Sequence, residues 1–167
     1  MLKTLISQIK QYKSNTIKTP IYVAIEVIME VLIPYLMAIL VDQGIENGDM
    51  KVIWIYGFIM LIAAIISLIA GALSGKHAAI ASSGFAKNLR EAEYKNIQNF
   101  AFADIDKYST GGLITRMMTD VTNVQNAFQM LIRVCVRSPL MLISSLFMAF
   151  MINHELALVF VGVITFF

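Results

Sequence analysis

Long apolar runs separated by short polar stretches organise this chain. The first extends from Thr19 to Val41 and is interrupted by Glu26, Glu30 and Pro34. The second, Val52 to about Ser74, and the third, Ser138 to Ile152, carry no charge. A fourth starts at Leu156 and runs to Phe167. A helix needs roughly 17–25 residues to cross a bilayer. The runs therefore predict transmembrane helices at 19–41, 52–75 and 138–152. They also predict the start of a fourth at 156–167, and with it a chain that is part of a longer protein.

Between the second and third spans the pattern takes on a helical period. Phe85, Leu89, Ala92, Ile97 and Phe100 recur on one side, with Lys87, Arg90, Glu91, Glu93 and Lys95 on the other. Leu113, Met117, Val121, Val124, Phe128, Leu131 and Cys135 then form a narrow apolar seam. Apart from glycines, nothing between Val52 and Phe100 breaks a helix. One helix there would be about 74 Å long at ~1.5 Å per residue, against about 30 Å of hydrocarbon. Segment 76–137 is thus predicted to be a helical hairpin that leaves the membrane. Its bend is Asp104-Ile105-Asp106-Lys107-Tyr108-Ser109-Thr110-Gly111-Gly112. The paired glycines allow the reversal, and Ser109 or Thr110 can cap the returning helix. A solvated turn does not require stalks of this length, which favours a docking knob at the tip.

Composition agrees with a membrane protein. Of the 167 residues, 58% are hydrophobic and 14% charged, where soluble domains average about 45–50% and about 25%. The net charge of +2 is too small to suggest a nucleic-acid partner. Its distribution sets the topology. The N-terminal tail has Lys3, Lys10, Lys13 and Lys18 and no acid. The 76–137 connection has eight basic residues, among them Lys76, Lys87, Arg90 and Arg137. Connection 42–51 has Lys51 alone against Asp42, Glu46 and Asp49, and 153–155 has no Lys or Arg. By the bias of basic residues to the cytoplasm, the N-terminus and 76–137 are cytoplasmic and the two short turns external. Residues 1–18, with Leu2, Leu5, Ile6 and Ile9 among lysines, read as an amphipathic elbow on the inner leaflet.

Few residues suggest chemistry. Neither a catalytic set nor a metal-ligand set emerges. Gly71-Ala72-Leu73-Ser74-Gly75-Lys76-His77 resembles a phosphate loop only loosely, with the wrong glycine spacing and no Ser or Thr after Lys76. His154-Glu155 begins a zinc-site pattern whose second histidine is Leu158. His77 reads as structural. Ser67, Gly71, Gly75, Ala79 and Ser83 fall four apart and leave a helix face without bulk, open to another helix. Glu26 and Glu30 share one face of the first span, and carboxylates there are costly. They are either a cation-attracting patch in a transport pathway, or Glu26 reaches the headgroups while Glu30 pairs with a basic residue on a helix beyond this chain.

The stretch Gly111-x-Leu113-Ile114-Thr115-Arg116-x-x-x-Asp120-x-x-x-Val124, between two long stalks, resembles the first intracellular loop of ABC exporters. Val41-Asp42-x-Gly44-Ile45-x-x-Gly48-Asp49 is similar to the outer turn between their first two spans. Arg133 and Arg137-Ser138-Pro139 resemble the bacterial heterodimeric multidrug-type branch. The resemblance covers essentially the whole chain. It implies an all-α membrane protein, part of a six-helix exporter domain, in the bacterial plasma membrane. It implies a coupling loop at Asp104, Ile105, Asp106, Lys107, Tyr108, Ser109, Thr110 and Gly111, with Arg116 and Asp120; these last two are four apart and so can pair along the returning helix. Its partners would be a nucleotide-binding domain using ATP and Mg, which lies outside these residues, and a second half-transporter, in a heterodimer. Alone, this chain would not hydrolyse ATP. A small accessory or sensor membrane protein with a helical hairpin is the alternative.

The topology is testable by labelling. A cysteine at Asn47 reacts with an impermeant thiol reagent on whole cells, and one at Ser109 does not. The opposite pattern would invert the orientation.

Overall fold

The computed structural model describes residues 2–100 and 110–152 of the chain. These form helices: α1 (Leu2–Ser7), α2 (Lys13–Ile39), α3 (Met50–Gln98), α4 (Thr110–Thr115) and α5 (Val121–Ile152). A 3-10 turn at Lys10–Tyr12 precedes α2. Wide π-helical turns, Leu40–Ile45 and Arg116–Asp120, follow α2 and precede α5. Three helical stretches are long and apolar enough to cross a membrane: Lys10–Ile45, Met50–Gln98 and Gly111–Met151. The fold is all-α, as the hydropathy pattern predicts.

The unbroken α3 matches the expectation from its lack of helix breakers. Its 49 residues are more than twice what a span requires. The turn before it explains several residues of the 41–49 motif. Asn47 Nδ2 donates to the carbonyls of Asp42 (3.2 Å) and Gln43 (3.4 Å), which the end of a helix leaves without amide partners. Gly48 takes the left-handed conformation, φ +65°. Asp49 Oδ1 accepts the amide of Lys51 at 2.9 Å and so caps α3. Gly44 is buried, and a Cβ there would lie 2.8 Å from Ile53 Cγ1. The chain doubles back this tightly only without that carbon.

The residues divide into two compact units. One comprises 20–74 and 135–167. Its buried positions include Val23, Val27, Leu36, Ala63, Ala70 and Ser74. Trp54, Phe58, Leu61, Ile65 and Leu68 on α3 are exposed, as the apolar surface of a membrane helix is. Residues 156–167, expected to begin a fourth span, lie outside the described ones.

The other unit comprises 1–19 and 75–134. Ala78, Ala81 and Ile132 are its core, with Phe128 packed against them. Phe85 and Phe128 stack with ring centroids 4.7 Å apart. Ser82 Oγ donates to Gln129 Oε1 (3.3 Å) and Gln125 Nε2 to Ser83 Oγ (3.5 Å). The seam holds through Val121 and Phe128, then departs from expectation. Ile132 is buried, while Leu131 and Cys135 are exposed. Four residues beyond Phe128 restores the buried line; three does not.

The small-residue stripe is likewise only half right. Ala79 and Ser83 are exposed; Ala70, Ser74, Ala78, Ala81 and Phe85 are buried instead. A spacing of four advances about 40° per step beyond a full turn, so a stripe of fours winds off the contact face. At Gly75 and Gly71 the facing atoms belong to this same chain: Arg133 Nη1 and the Glu26 carboxylate.

The N-terminal segment docks on α3. Asn88 Nδ2 donates to the Gln8 carbonyl at 2.7 Å, and His77 Nδ1 lies 2.9 Å from Asn15 Oδ1. That contact gives His77 the structural role expected of it. The Tyr12 ring occupies the place of a side chain at Gly84; a Cβ there would collide with Cε1, Cε2 and Cζ. Gly84→Ala should therefore displace Tyr12, costing about 1–3 kcal/mol of local stability. Amide exchange of residues 8–15 in the intact protein should accelerate; unchanged exchange would refute the socket.

Candidate functional site

α2 carries Glu26 and Glu30 one turn apart, and α5 brings Arg137 to both. Arg137 Nη1 donates to Glu26 Oε1 at 2.6 Å. Its Nη2 donates to Glu30 Oε1 at 2.7 Å and Oε2 at 2.8 Å. The Glu26 side chain is 10% exposed, against 31% for Glu30 and 35% for Arg137. Gly71 of α3 makes room for the Glu26 carboxylate: a Cβ would sit 3.0 Å from Oε1. So Glu30 does pair with a basic residue, but one within this chain and not on a helix beyond it. Two carboxylates against one guanidinium leave a single excess negative charge. Glu26 Oε2 and the Ser74 hydroxyl are buried without hydrogen-bond partners.

Elsewhere in the same unit an open apolar cleft of about 390 Å³ lies between α2 and α5. Ile28, Val31, Leu32, Ile143, Phe147 and Met148 line it. It can accept an apolar body but offers little that would orient one.

The far end of the α3–α5 hairpin carries the charged residues of the expected coupling loop. Asp104 to Ser109 lie outside the described residues. Thr110 and Gly111 open α4; Thr110 is already helical, and Ser109, the other cap candidate, lies outside the described residues. Arg116 and Asp120, expected to pair along the returning helix, are the first and last residues of the π-helical turn. Arg90 of α3 donates through Nε to the Met117 carbonyl (3.3 Å) and through Nη2 to Thr122 Oγ1 (3.1 Å). Glu93 and Arg116 share a cavity of about 140 Å³ with Ile97, Phe100, Leu113 and Met117. Glu93 Oε2 is buried there without a partner. Burial, and next the Asp120 carboxylate, push the Glu93 carboxyl above its ordinary range; Arg90 and Arg116 oppose this. On the exposed side, Lys95 at 2.6 Å holds Glu91 below the usual carboxylate range.

Residues 71–77 are internal to α3, where backbone amides are committed to helical hydrogen bonds and cannot turn toward phosphate.

The sequence matches the transmembrane region of ABC transporters over residues 17–167. The chain belongs to that family. Among its relatives is the uncharacterized ABC transporter ATP-binding protein YfiB of Bacillus subtilis, 33% identical over 78% of this chain and 23% of the relative. An uncharacterized ABC transporter ATP-binding protein of Mycobacterium tuberculosis is 27% identical over 95% of this chain and 27% of its own length. The ATP-dependent lipid A-core flippase of Pseudoalteromonas translucida is 25% identical over 97% and 28%. The chain thus spans about a quarter of the length of the curated relatives it matches.

For an ABC membrane region, three features of the structure went unread in the sequence. In the sequence Arg137 reads as a cytoplasmic charge and as part of the Arg137-Ser138-Pro139 resemblance, and Arg90 as part of a polar face, with no partner given to either. Gly84 lay outside the stripe of fours. A carboxylate pair without a local cation was the signal that should have prompted a search for Arg137.

Removing one partner from a buried ion pair costs about 3–5 kcal/mol, and partial exposure lowers that here. In the full-length protein Arg137→Ala should cost about 2 kcal/mol. Changing Glu26 and Glu30 to Gln as well should restore most of it. Melting temperatures report both; a triple variant as unstable as Arg137→Ala would remove the charge argument.

Proposed function

We propose that this chain is the first part of the membrane domain of a bacterial ATP-driven exporter. It contributes to the substrate pathway and carries the first coupling loop to the nucleotide-binding domains. The carrying observation is the family match over residues 17–167, which favours this reading over the accessory-subunit alternative. The relatives' descriptions as ATP-binding or ATP-dependent proteins support partnership with an ATPase. ATP and Mg would act in that domain, and a second half-transporter would complete the pathway. The N-terminus and the 76–137 hairpin face the cytoplasm, in the plasma membrane. The excess negative charge at Glu26, Glu30 and Arg137 supports a pathway that attracts cations.

In this reading the tip, Asp104 to Thr110, docks on the ATPase and transmits its closure. A contact so small is weak alone; tethering on one chain makes it sufficient. In the full-length protein, replacing Ile105 and Tyr108 by Ala should leave insertion and ATP binding intact. Transport should fall, and substrate should no longer stimulate hydrolysis. Normal transport with normal stimulation would exclude the tip as the coupling element.

A further inference from the structure

In an α-helix each amide donates to the carbonyl four residues back. Val121 does not. Its amide reaches the carbonyls of Arg116, five back, and Met118, three back. The carbonyl between them, that of Met117, loses the amide a regular helix would give it. Arg90 supplies the replacement. Its Nε donates to that carbonyl at 3.3 Å, and its Nη2 holds Thr122 Oγ1 at 3.1 Å. The Thr122 hydroxyl in turn donates to the Met118 carbonyl at 2.6 Å. One guanidinium on α3 therefore serves both the backbone that the wide turn releases and the first turn after it. A planar guanidinium makes the two bonds from two different nitrogens held in a fixed geometry.

A π-turn is a helix with one residue too many, and such turns are frequent at functional sites. The extra residue rotates whatever precedes it by about 100° relative to a regular helix. Here that is α4, which leads back to the tip. We propose that Arg90 is a positioning residue: by taking up the Met117 carbonyl it holds the π-turn in place and so fixes which face residues 110–116 present at the end of the hairpin. The proposal rests on the reading that this end meets the ATPase. The contacts that define this role are with the Met117 carbonyl and the Thr122 hydroxyl. The effect of Arg90 is on whether the movement arrives.

The test is a cycle in the full-length transporter, reconstituted in nanodiscs, reading basal and substrate-stimulated ATP hydrolysis. Arg90→Ala should keep basal hydrolysis and lose stimulation by about five-fold or more. Deleting Met118 removes the extra residue, lets the helix run regularly and should lose stimulation equally. In the deletion background Arg90→Ala should then add nothing, since no released carbonyl remains to be served. Thr122→Val, which takes away one of the two Arg90 contacts and leaves the charge, should lose part of the stimulation; it serves where Arg90→Ala fails to accumulate. Amide protection of residues 117–122 should fall in Arg90→Ala. Full stimulation in Arg90→Ala, or losses from Arg90→Ala and the deletion that simply add, would overturn the proposal. The Ile105 and Tyr108 double variant separates the two ideas. If it loses stimulation while Arg90→Ala keeps it, the coupling reading stands and Arg90's role falls. If it too keeps full stimulation, the coupling reading falls with it.

Discussion

Carboxylates cannot be left alone inside an apolar span, and the membrane part of this chain is arranged around that constraint. Glu26 and Glu30 sit on α2 where desolvation penalises a charge. Arg137 answers both with short hydrogen bonds. The fork pins α2 to α5, and Gly71 lets α3 approach the same point. The packing around it is otherwise thin: small or branched aliphatic side chains such as Val23, Val27, Ala63 and Ala70. Such surfaces slide readily over one another in lipid, which gives apolar contacts no solvent-driven preference for one register. A guanidinium that gives one Nη to Glu26 and the other to Glu30 allows very few registers.

The unit formed by 1–19 and 75–134 is held together differently. Its core is narrow, with Ala78, Ala81 and Ile132 at the centre. It is reinforced along its length by an aromatic stack, by amides meeting hydroxyls, and by the N-terminal segment laid along α3. Polar contacts suit this stretch because water competes for them at its surface, and only pairs in good register survive that competition.

Much of this was legible in the residues. Apolar runs mark spans because nothing else uses so many uncharged residues in succession, and α3 was readable as one helix because nothing in it ends one. The turn at 41–49 was readable through its likeness to the exporter family's turn, and Gly44, Gly48 and Asp49 prove to be positions that its local geometry uses. What escaped was whatever depends on reach across helices. Hydropathy assigns Arg137 to the edge of a span, yet a long side chain can bring its charge elsewhere. Periodicity misplaced Leu131 and Cys135 because steps of three and four both look helical over a short window. The π-turn left a faint mark, the consecutive steps of four at Leu113, Met117 and Val121, wider than a regular turn. The tip itself, Asp104 to Ser109, is read from sequence alone.

Gly71 blurs the line between shape and charge. The oxygen nearest its missing Cβ is Glu26 Oε1, the same atom that accepts the Arg137 hydrogen bond. A methyl group there would press on that oxygen and not merely fill a gap between helices. An alanine at this position, neutral and only slightly larger, would act on the ion pair. In a mutational map of the protein, its genetic company would be the carboxylate variants of α2 and not the other glycines of α3.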